Sequence, residues 1–250
     1  MANRGAVPAA LSVADAAYAR ALVLHEDAHL LVFNKPAGLA VQGGSGVARS
    51  LEHLLAAFSK SNGKRPRLVH RLDRETSGII VAARTKPAAA FLSSAFAGRE
   101  VAKTYFAIVC GGAPVPRDGQ IAFWLKKASR QGLDIMEVGR EGEAGAQAAL
   151  TRYGSLAEIP EAALLELNPE TGRMHQLRAH LAAIGRPIAG DGKYGGLFSV
   201  AGTPIPSLLL HAAALEFPHP AGGRRRFEAP PPVHFSETLV SLGLQAAPGD

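Results

Sequence analysis

The sequence predicts an α+β fold, in which several strands follow one another and helices occur singly between them. Apolar runs at 101–110, 121–125, 146–153 and 162–167 each have the length and pattern of a strand. Polar, glycine-rich connections separate the last three runs, and none of them has the apolar spacing of a helix. Such an order is typical of α+β proteins, whereas a doubly wound α/β fold alternates strands with helices. No repeat with a period of about 20 to 50 residues is visible.

The first part of the chain carries signals for two strands and two helices. Residues 30–33 form an apolar run that ends at a proline–glycine turn, and residues 79–83 form a second apolar run. Ser50 can cap a helix over about 51–58, where apolar residues recur at i, i+3, i+4 and i+7. Another helix is expected from Lys86 to about residue 97, because Gly98 is suited to end it.

The later part of the chain predicts three further elements. In the strand 101–110, Lys103 and Tyr105 lie on one face because side chains two positions apart point the same way. A helix over 173–184 has an apolar stripe that leaves Arg178 on the border between core and solvent. An apolar stretch over 208–217 and a helix over 234–242 complete the order.

Composition indicates a globular protein with an anionic partner. The chain has 250 residues, 47% of them hydrophobic and 19% charged, and its net charge is +6. We expect a loosely held arm at 1–20, one catalytic domain at 21–243 and a tail at 244–250. The lone Cys110 and the lack of a long apolar run or export signal lead us to expect a monomeric, cytoplasmic protein that does not bind membranes.

Several familiar site patterns do not fit. The glycine pattern at 190–195 follows a helix rather than a strand, which argues against a dinucleotide site, and a phosphate-binding P-loop lacks its required residues. His175 and His180 are five residues apart and do not share a helix face, so zinc is not expected. The residue types present do not exclude a Ser-His-Asp hydrolase, because such triads are defined by geometry, although the Gly-x-Ser-x-Gly elbow is absent.

The densest group of charges lies at 67–84, immediately before and within the second apolar run. His70, Arg71, Asp73, Arg74 and Glu75 fall within six positions. An aspartate between two arginines is expected to stay ionised at pH 7, because nearby positive charge favours the carboxylate. Asp73 is therefore better suited to act as a nucleophile or as an anchor for a cation than as a general acid. A solvated turn with a local ion pair is the alternative interpretation.

The sequence resembles the RluA family of RNA pseudouridine synthases over roughly residues 25 to 230. The resemblance lies in His-Arg-Leu-Asp-x-x-Thr-Ser-Gly at 70–78, together with the segments 34–38, 103–105, 171–180, 190–195 and 210–212, in the family's order. It implies a mixed, mainly antiparallel central sheet flanked by helices. It also implies isomerisation of uridine to pseudouridine in RNA, without a metal or organic cofactor.

The resemblance assigns roles to individual residues. The catalytic aspartate falls on Asp73, the tyrosine on Tyr105 and the arginine on Arg178. Arg178 would pair with Asp73, Tyr105 would stack on the target base, and Arg71 would fill the gap left by the flipped nucleotide. The expected RNA contacts are Lys35, His70, Arg71, Arg74, Lys103, Arg173, His175, Gln176 and Lys193.

The RNA target is less defined than the chemistry. Many relatives carry a small N-terminal RNA-binding domain, whereas the resemblance here begins near residue 25, so we expect the catalytic lobe to read the RNA. Segment 41–44 and the central motif most resemble members that act on large-subunit (23S) ribosomal RNA. Transfer RNA is the alternative substrate, and a catalytically silent RNA-binding protein is the alternative class.

Overall fold

The computed structural model describes residues 11–44, 49–130 and 132–245. The helices in these ranges are α1 (Val13–Ala21), α2 (Leu51–Leu54), α3 (Lys86–Ala97), α4 (Gln176–Ala183) and α5 (Val233–Ser241), and a 3₁₀ helix at Leu55–Phe58 continues α2. The strands are β1 (Val23–Glu26), β2 (Leu30–Lys35), β3 (Arg67–Leu68), β4 (Ser77–Ala83), β5 (Ala102–Cys110), β6 (Asp118–Arg130), β7 (Leu133–Gly139), β8 (Gln147–Ile159), β9 (Ala162–Pro169), β10 (Ser199–Val200), β11 (Thr203–Pro204), β12 (Leu210–Pro218) and β13 (Arg224–Glu228).

One large sheet organises these elements. Its strand order is β1-β2-β4-β12-β5-β9-β8-β6-β7, with β3 also paired to β4 and β13 to β12. The β4–β12 pair is parallel, and the other pairs in this sheet are antiparallel. The expected α+β fold with a mixed, mainly antiparallel sheet is thus confirmed.

The core lies on the central strands and under the helices. Every residue of β4 is buried, as are residues 30–33 of β2, which explains why both strands have nearly continuous apolar sequences. Helix α3 packs on β4 and β12, and α4 packs on β6, β7 and β8. Among the described residues, no helix is both long and apolar enough to span a bilayer.

Both predicted end segments contain ordered, packed structure. Residues 13–21 form α1, where the Ser12 hydroxyl oxygen accepts the Asp15 N–H at 3.0 Å and Ala19 is buried. The expectation of a loose arm over 1–20 was wrong for this part, because an alanine-rich segment with an N-cap favours a helix despite its weak amphipathicity. Leu244, assigned to the tail, is fully buried against the apolar cluster of α5. Residues 1–10 and 246–250 lie outside the described residues.

Candidate active site

A cavity of about 550 Å³ lies on the central part of the sheet. Its walls come from the loop before β4, the end of α3, the start of β5 and the segment that leads from β9 into α4. The side chains of Asp73, Tyr105 and Arg178 all line it. Its volume is in the range of pockets that enclose a small organic ligand.

The sheet register places the Asp73 loop beside Tyr105. Gly78 at the start of β4 pairs with Ala212 of β12, and Ala212 pairs with Tyr105 of β5. Because neighbouring strands lie about 4.8 Å apart, Gly78 and Tyr105 are separated by about 10 Å across the sheet. Gly78 has φ +113, and a Cβ there would overlap the backbone of Ala212. A glycine is therefore required for this close approach of β4 and β12.

Lys35 stabilises the loop that carries Asp73 through hydrogen bonds to backbone carbonyls. Its ammonium group donates to the carbonyl oxygens of Pro36, Leu39 and Arg74 at 3.0, 2.9 and 3.1 Å. Burial lowers the pKa of Lys35 to about 8, although the negative charges of Asp73 and Glu75 oppose this shift. Lys35 is 0% exposed, so the expectation that it contacts RNA was wrong.

Arg178 is buried at the base of the cavity rather than at the border with solvent. Only 2% of the residue is exposed, and its Nε and Nη2 donate to the two carboxylate oxygens of Asp191 at 2.7 Å each. Nη1 lies 4.0 Å from Oδ2 of Asp73 and 3.7 Å from Oε2 of Glu75. Burial opposes the charge, but the hydrogen bonds and charge of Asp191 raise the pKa of Arg178. The hydrogen-bonded partner of Arg178 is thus Asp191, and the expected pair with Asp73 is a longer contact of 4.0 Å.

Tyr105 supplies an aromatic surface and a protonated hydroxyl group. The side chain is partly buried and lines the cavity together with Asp73. Burial raises the pKa of Tyr105, and the negative charge of Asp73 adds to the effect. Near pH 7 the phenol is therefore available as a hydrogen-bond donor, and its ring is available for stacking.

A buried polar chain fixes the segment that leads into α4. Gln176 accepts the Arg173 N–H and the Thr171 hydroxyl through Oε1, and its Nε2 donates to Thr151 and to the Leu150 carbonyl. These four bonds use all the capacity of the amide group. The expected RNA contact by Gln176 was therefore wrong, and the residue instead anchors the cavity wall.

His70 is another predicted RNA contact that has a structural partner. Its Nε2 accepts the Val81 N–H at 2.9 Å, and its ring stacks on Phe96 at 4.3 Å. Burial, together with the nearby charge of Lys103, lowers the pKa of His70 to about 3. The ring is neutral at pH 7 and ties the Asp73 loop to β4, and because it also lines the cavity its expected contact with RNA stays a prediction.

Four cations besides Arg178 line the cavity and are called the cavity cations: Arg71, Arg99, Lys103 and Arg173. Within the described ranges, none of the four lies within 4.0 Å of a carboxylate oxygen. Arg74 and Lys193 do not line the cavity, although Arg74 contacts the Gly38 carbonyl nearby. Sequence analysis had not identified Arg99.

Two residues on the cavity wall have left-handed backbone conformations. Arg99, directly after the end of α3, has φ +60, and His175, directly before α4, has φ +49. Such conformations are uncommon for residues other than glycine and cluster at functional sites. The turn at His175 delays α4 until Gln176, three residues after the predicted start. Its Nδ1 is 3.1 Å from the Tyr194 hydroxyl oxygen.

Metal-binding geometry is absent from the part of the chain that the structure describes. No group of three or more histidine, cysteine, aspartate or glutamate side chains there is arranged to hold a metal ion. The polar groups that line the cavity include instead the carboxylates of Asp73 and Glu170, the phenol of Tyr105 and several cations. This set can hold a polyanion and place a carboxylate against a neutral heterocycle.

Several solved structures share this architecture. The human RNA pseudouridylate synthase domain containing 4 is 30% identical, with a TM-score of 0.79, and the alignment covers 93% of this chain and 98% of that chain. The human RNA pseudouridylate synthase domain containing 1 is 25% identical, with a TM-score of 0.67 and coverage of 91% and 96%.

Sequence relatives and a family match agree with the structures. The ribosomal large subunit pseudouridine synthase C of Escherichia coli K12 is 38% identical over 88% of this chain and 70% of its own length. The enzyme of the same name from Vibrio cholerae is 35% identical over 88% and 69%. Residues 29–183 match the RNA pseudouridylate synthase family. The chain therefore belongs to this family of enzymes, which isomerise uridine in RNA to pseudouridine.

Proposed function

We propose that the protein isomerises uridine to pseudouridine in large-subunit ribosomal RNA and that Asp73 is the catalytic carboxylate. The observation that carries the proposal is the meeting of Asp73, Arg178 and Tyr105 in one cavity of nucleotide size. The names of the relatives from Escherichia coli and Vibrio cholerae support the choice of ribosomal RNA.

In this proposal the target uridine leaves the base stack and enters the cavity. A stacked base does not expose its glycosidic bond, so the enzyme must first flip the nucleotide. Tyr105 stacks on the uracil, and Arg71, which is exposed at the cavity wall, fills the space left in the RNA. A uridine in a loop is favoured as substrate because its unstacking costs little.

Asp73 then acts as an anion on the sugar. It either attacks the anomeric carbon or removes a sugar proton, and both routes break the bond between N1 and the ribose. The freed uracil turns so that C5 bonds to the same carbon; C5 loses its proton and N1 gains one. The product is an isomer of the substrate, so the balance needs no oxidant or co-reactant. The hydroxyl of Tyr105 is placed to take part in the proton transfers.

Three of the cavity cations, Arg99, Lys103 and Arg173, are proposed to bind phosphates beside the flipped nucleotide. Arg71, Arg99, Lys103 and Arg173 have no carboxylate partner among the described residues, so their charges are available for an anion. His175 stays a proposed contact at the cavity wall, and Arg74 and Lys193 stay proposed contacts farther along the RNA. The expectations of a monomer, of cytoplasmic location and of no membrane binding stay predictions.

A comparison of substrates tests the proposal. Purified protein is incubated with unmodified large-subunit ribosomal RNA, unmodified transfer RNA and minimal stem-loops from each, and pseudouridine is mapped in all of them. We expect new pseudouridine at discrete loop uridines of the ribosomal RNA. Modification of transfer RNA alone would overturn the assigned substrate. RNA binding without pseudouridine in any sample would favour a silent binding protein.

A further inference from the structure

We propose that Asp191 is a positioning residue that fixes the orientation of Arg178, so that the remaining guanidinium nitrogen faces the catalytic carboxylate of Asp73. The inference rests on the proposed role of Asp73. Asp191 lies outside the region matched by the family, and the resemblance that includes segment 190–195 had assigned it no role.

Asp191 occupies two of the three nitrogens of the Arg178 guanidinium. Both residues are buried, and the two hydrogen bonds of 2.7 Å form the parallel fork that is the strongest geometry for this pair. A guanidinium held in this way cannot rotate without breaking both bonds. The orientation of the remaining nitrogen, Nη1, is therefore set by Asp191.

Asp191 itself is fixed by its own turn. Its Oδ1 also accepts the backbone N–H groups of Lys193 and Tyr194 at 3.0 and 3.2 Å. Gly190, just before it, has φ +76, and a Cβ there would overlap the carbonyl of Ser207. The turn is thus packed against the segment that leads into β12, and Asp191 has little room to shift.

Tyr194 holds the guanidinium from another direction. The carbon at the centre of the Arg178 guanidinium lies 5.2 Å from the centre of the Tyr194 ring, within the range of a cation–π contact. The Tyr194 hydroxyl oxygen accepts the Met136 N–H at 2.7 Å and lies 3.1 Å from Nδ1 of His175. Arg178 is therefore held by two side chains that are themselves anchored.

The result is a donor that faces the catalytic carboxylate without bonding to it. Nη1 is buried and has no hydrogen-bond partner among the described residues. It lies 4.0 Å from Asp73 and 3.7 Å from Glu75, beyond the distance of about 2.8 Å for a charge-assisted hydrogen bond. Asp73 is thus left without a hydrogen bond from Arg178.

A double-mutant cycle separates positioning from stability. We compare single-turnover pseudouridine formation in wild type, Asp191→Asn, Arg178→Ala and the double variant. Asp191→Asn should lower the rate by about a hundredfold, the scale of a misplacement of about 1 Å, while the dissociation constant for RNA stays within about threefold. In the Arg178→Ala background the same change should lower the rate by less than about threefold, because Asp191 acts through Arg178.

Asp27→Asn is the matched control. Asp27 likewise accepts two backbone N–H groups, those of His29 and Leu30 at 2.7 and 2.9 Å, but it does not line the cavity. This variant should lose stability and keep the wild-type rate. A rate for Asp191→Asn within about threefold of wild type, or an equal loss in both backgrounds, would overturn the proposal.

A second readout does not depend on the RNA assignment. In a nitrogen-15 spectrum, the Nε–H of Arg178 should give a slowly exchanging signal that disappears in Asp191→Asn and persists in Asp27→Asn. If wild type modified none of the RNAs, the proposed substrate would fail, yet this signal would still decide the geometry. Its absence from the wild-type spectrum would overturn the positioning role.

Discussion

Tyr105 presents an aromatic ring and a protonated hydroxyl group to the cavity that contains Asp73. Tyr105→Phe keeps the ring and removes only the hydroxyl. We expect the rate of pseudouridine formation to fall by about tenfold to a hundredfold, while RNA affinity stays within about threefold of wild type. Single-turnover kinetics and equilibrium binding measure the two quantities.

The matched comparison is Tyr105→Leu, which removes the stacking surface as well. It should weaken RNA binding in addition to the rate, because aromatic stacking on a base contributes about 1 to 3 kcal/mol. If Tyr105→Phe weakened binding as much as Tyr105→Leu did, the hydroxyl and not the ring would be the contact.

Lys35 combines a full positive charge with complete burial, and its partners are backbone carbonyls. Lys35→Met removes the donor and should lower the free energy of unfolding by about 2 kcal/mol or more, since unpaired buried acceptors are costly. The salt dependence of RNA binding should not change. Lys193→Met, a partly exposed control, should leave stability near that of wild type. A loss of RNA affinity without a loss of stability would restore Lys35 as an RNA contact.

Among the elements, α3 and α4 show what local sequence can and cannot predict. The bounds of α3 were predicted correctly because the chain itself marks them: Thr85 caps the first turn, Pro87 favours the start and Gly98 ends the helix. The start of α4 was placed three residues early, since no local signal marks the left-handed turn at His175. That turn is held by tertiary contacts, including the Tyr194 hydroxyl.

The strand β4 depends on His70 for one of its hydrogen bonds, which makes its stability pH-dependent. The native pKa of about 3 is below the ordinary value of 6.5, so between these two values the unfolded chain binds a proton that the native chain does not. The contribution of His70 is complete above about pH 6.5 and is lost as the pH falls. Between pH 7 and pH 5 the free energy of unfolding should fall by about 2 kcal/mol, because uptake of one proton contributes about 1.4 kcal/mol per pH unit.

His70→Gln provides the comparison for this prediction. Glutamine can accept the Val81 N–H and does not titrate, so its unfolding free energy should fall less between pH 7 and pH 5. His180, whose pKa burial lowers to about 4, is present in both proteins and its effect cancels in the difference. Urea unfolding at the two pH values measures this fall in unfolding free energy for each protein. Equal losses in both proteins would show that His70 is not held neutral.

At the scale of the whole molecule, the 27 lysines and arginines overstate the number of cations available to RNA, because several of them are paired with carboxylates. Lys126 pairs with Glu137 and Glu143, Arg224 with Glu216, and Arg226 with Glu228. The cavity cations have no such partners among the described residues, so we expect them to dominate the electrostatic part of binding. Arg99→Ala should reduce the slope of log affinity against log salt by about 0.7, the value for one phosphate on a single strand.

Arg226→Ala is the control for the salt experiment, because its charge is already paired. It should leave the slope nearly unchanged. The prediction would be contradicted if Arg226→Ala changed the slope by as much as Arg99→Ala. A slope near zero for wild type would show that the ligand is not a polynucleotide.

The residues of the candidate active site were only partly predictable from the sequence. Asp73, Tyr105 and Arg178 were found because their motifs are distinctive, and the structure brings all three to one cavity. The pairing of Asp191 with Arg178 was missed because the fork joins residues 13 positions apart, and the motif at 190–195 does not show which side chain the aspartate contacts. Burial of Lys35 and Gln176 was missed for a related reason: a polar side chain can be satisfied inside the protein only by partners that the folded chain provides.

Asp73→Asn tests the central claim most directly, because it removes the anion and keeps the shape of the side chain. Wild type and variant are each incubated in excess with unmodified large-subunit ribosomal RNA, binding is verified, and pseudouridine is mapped over time. We expect discrete sites of pseudouridine with wild type and a rate lower by at least about a thousandfold with the variant, at similar RNA affinity. A variant rate within about tenfold of wild type, a barrier change of only about 1.4 kcal/mol, would contradict the role of Asp73.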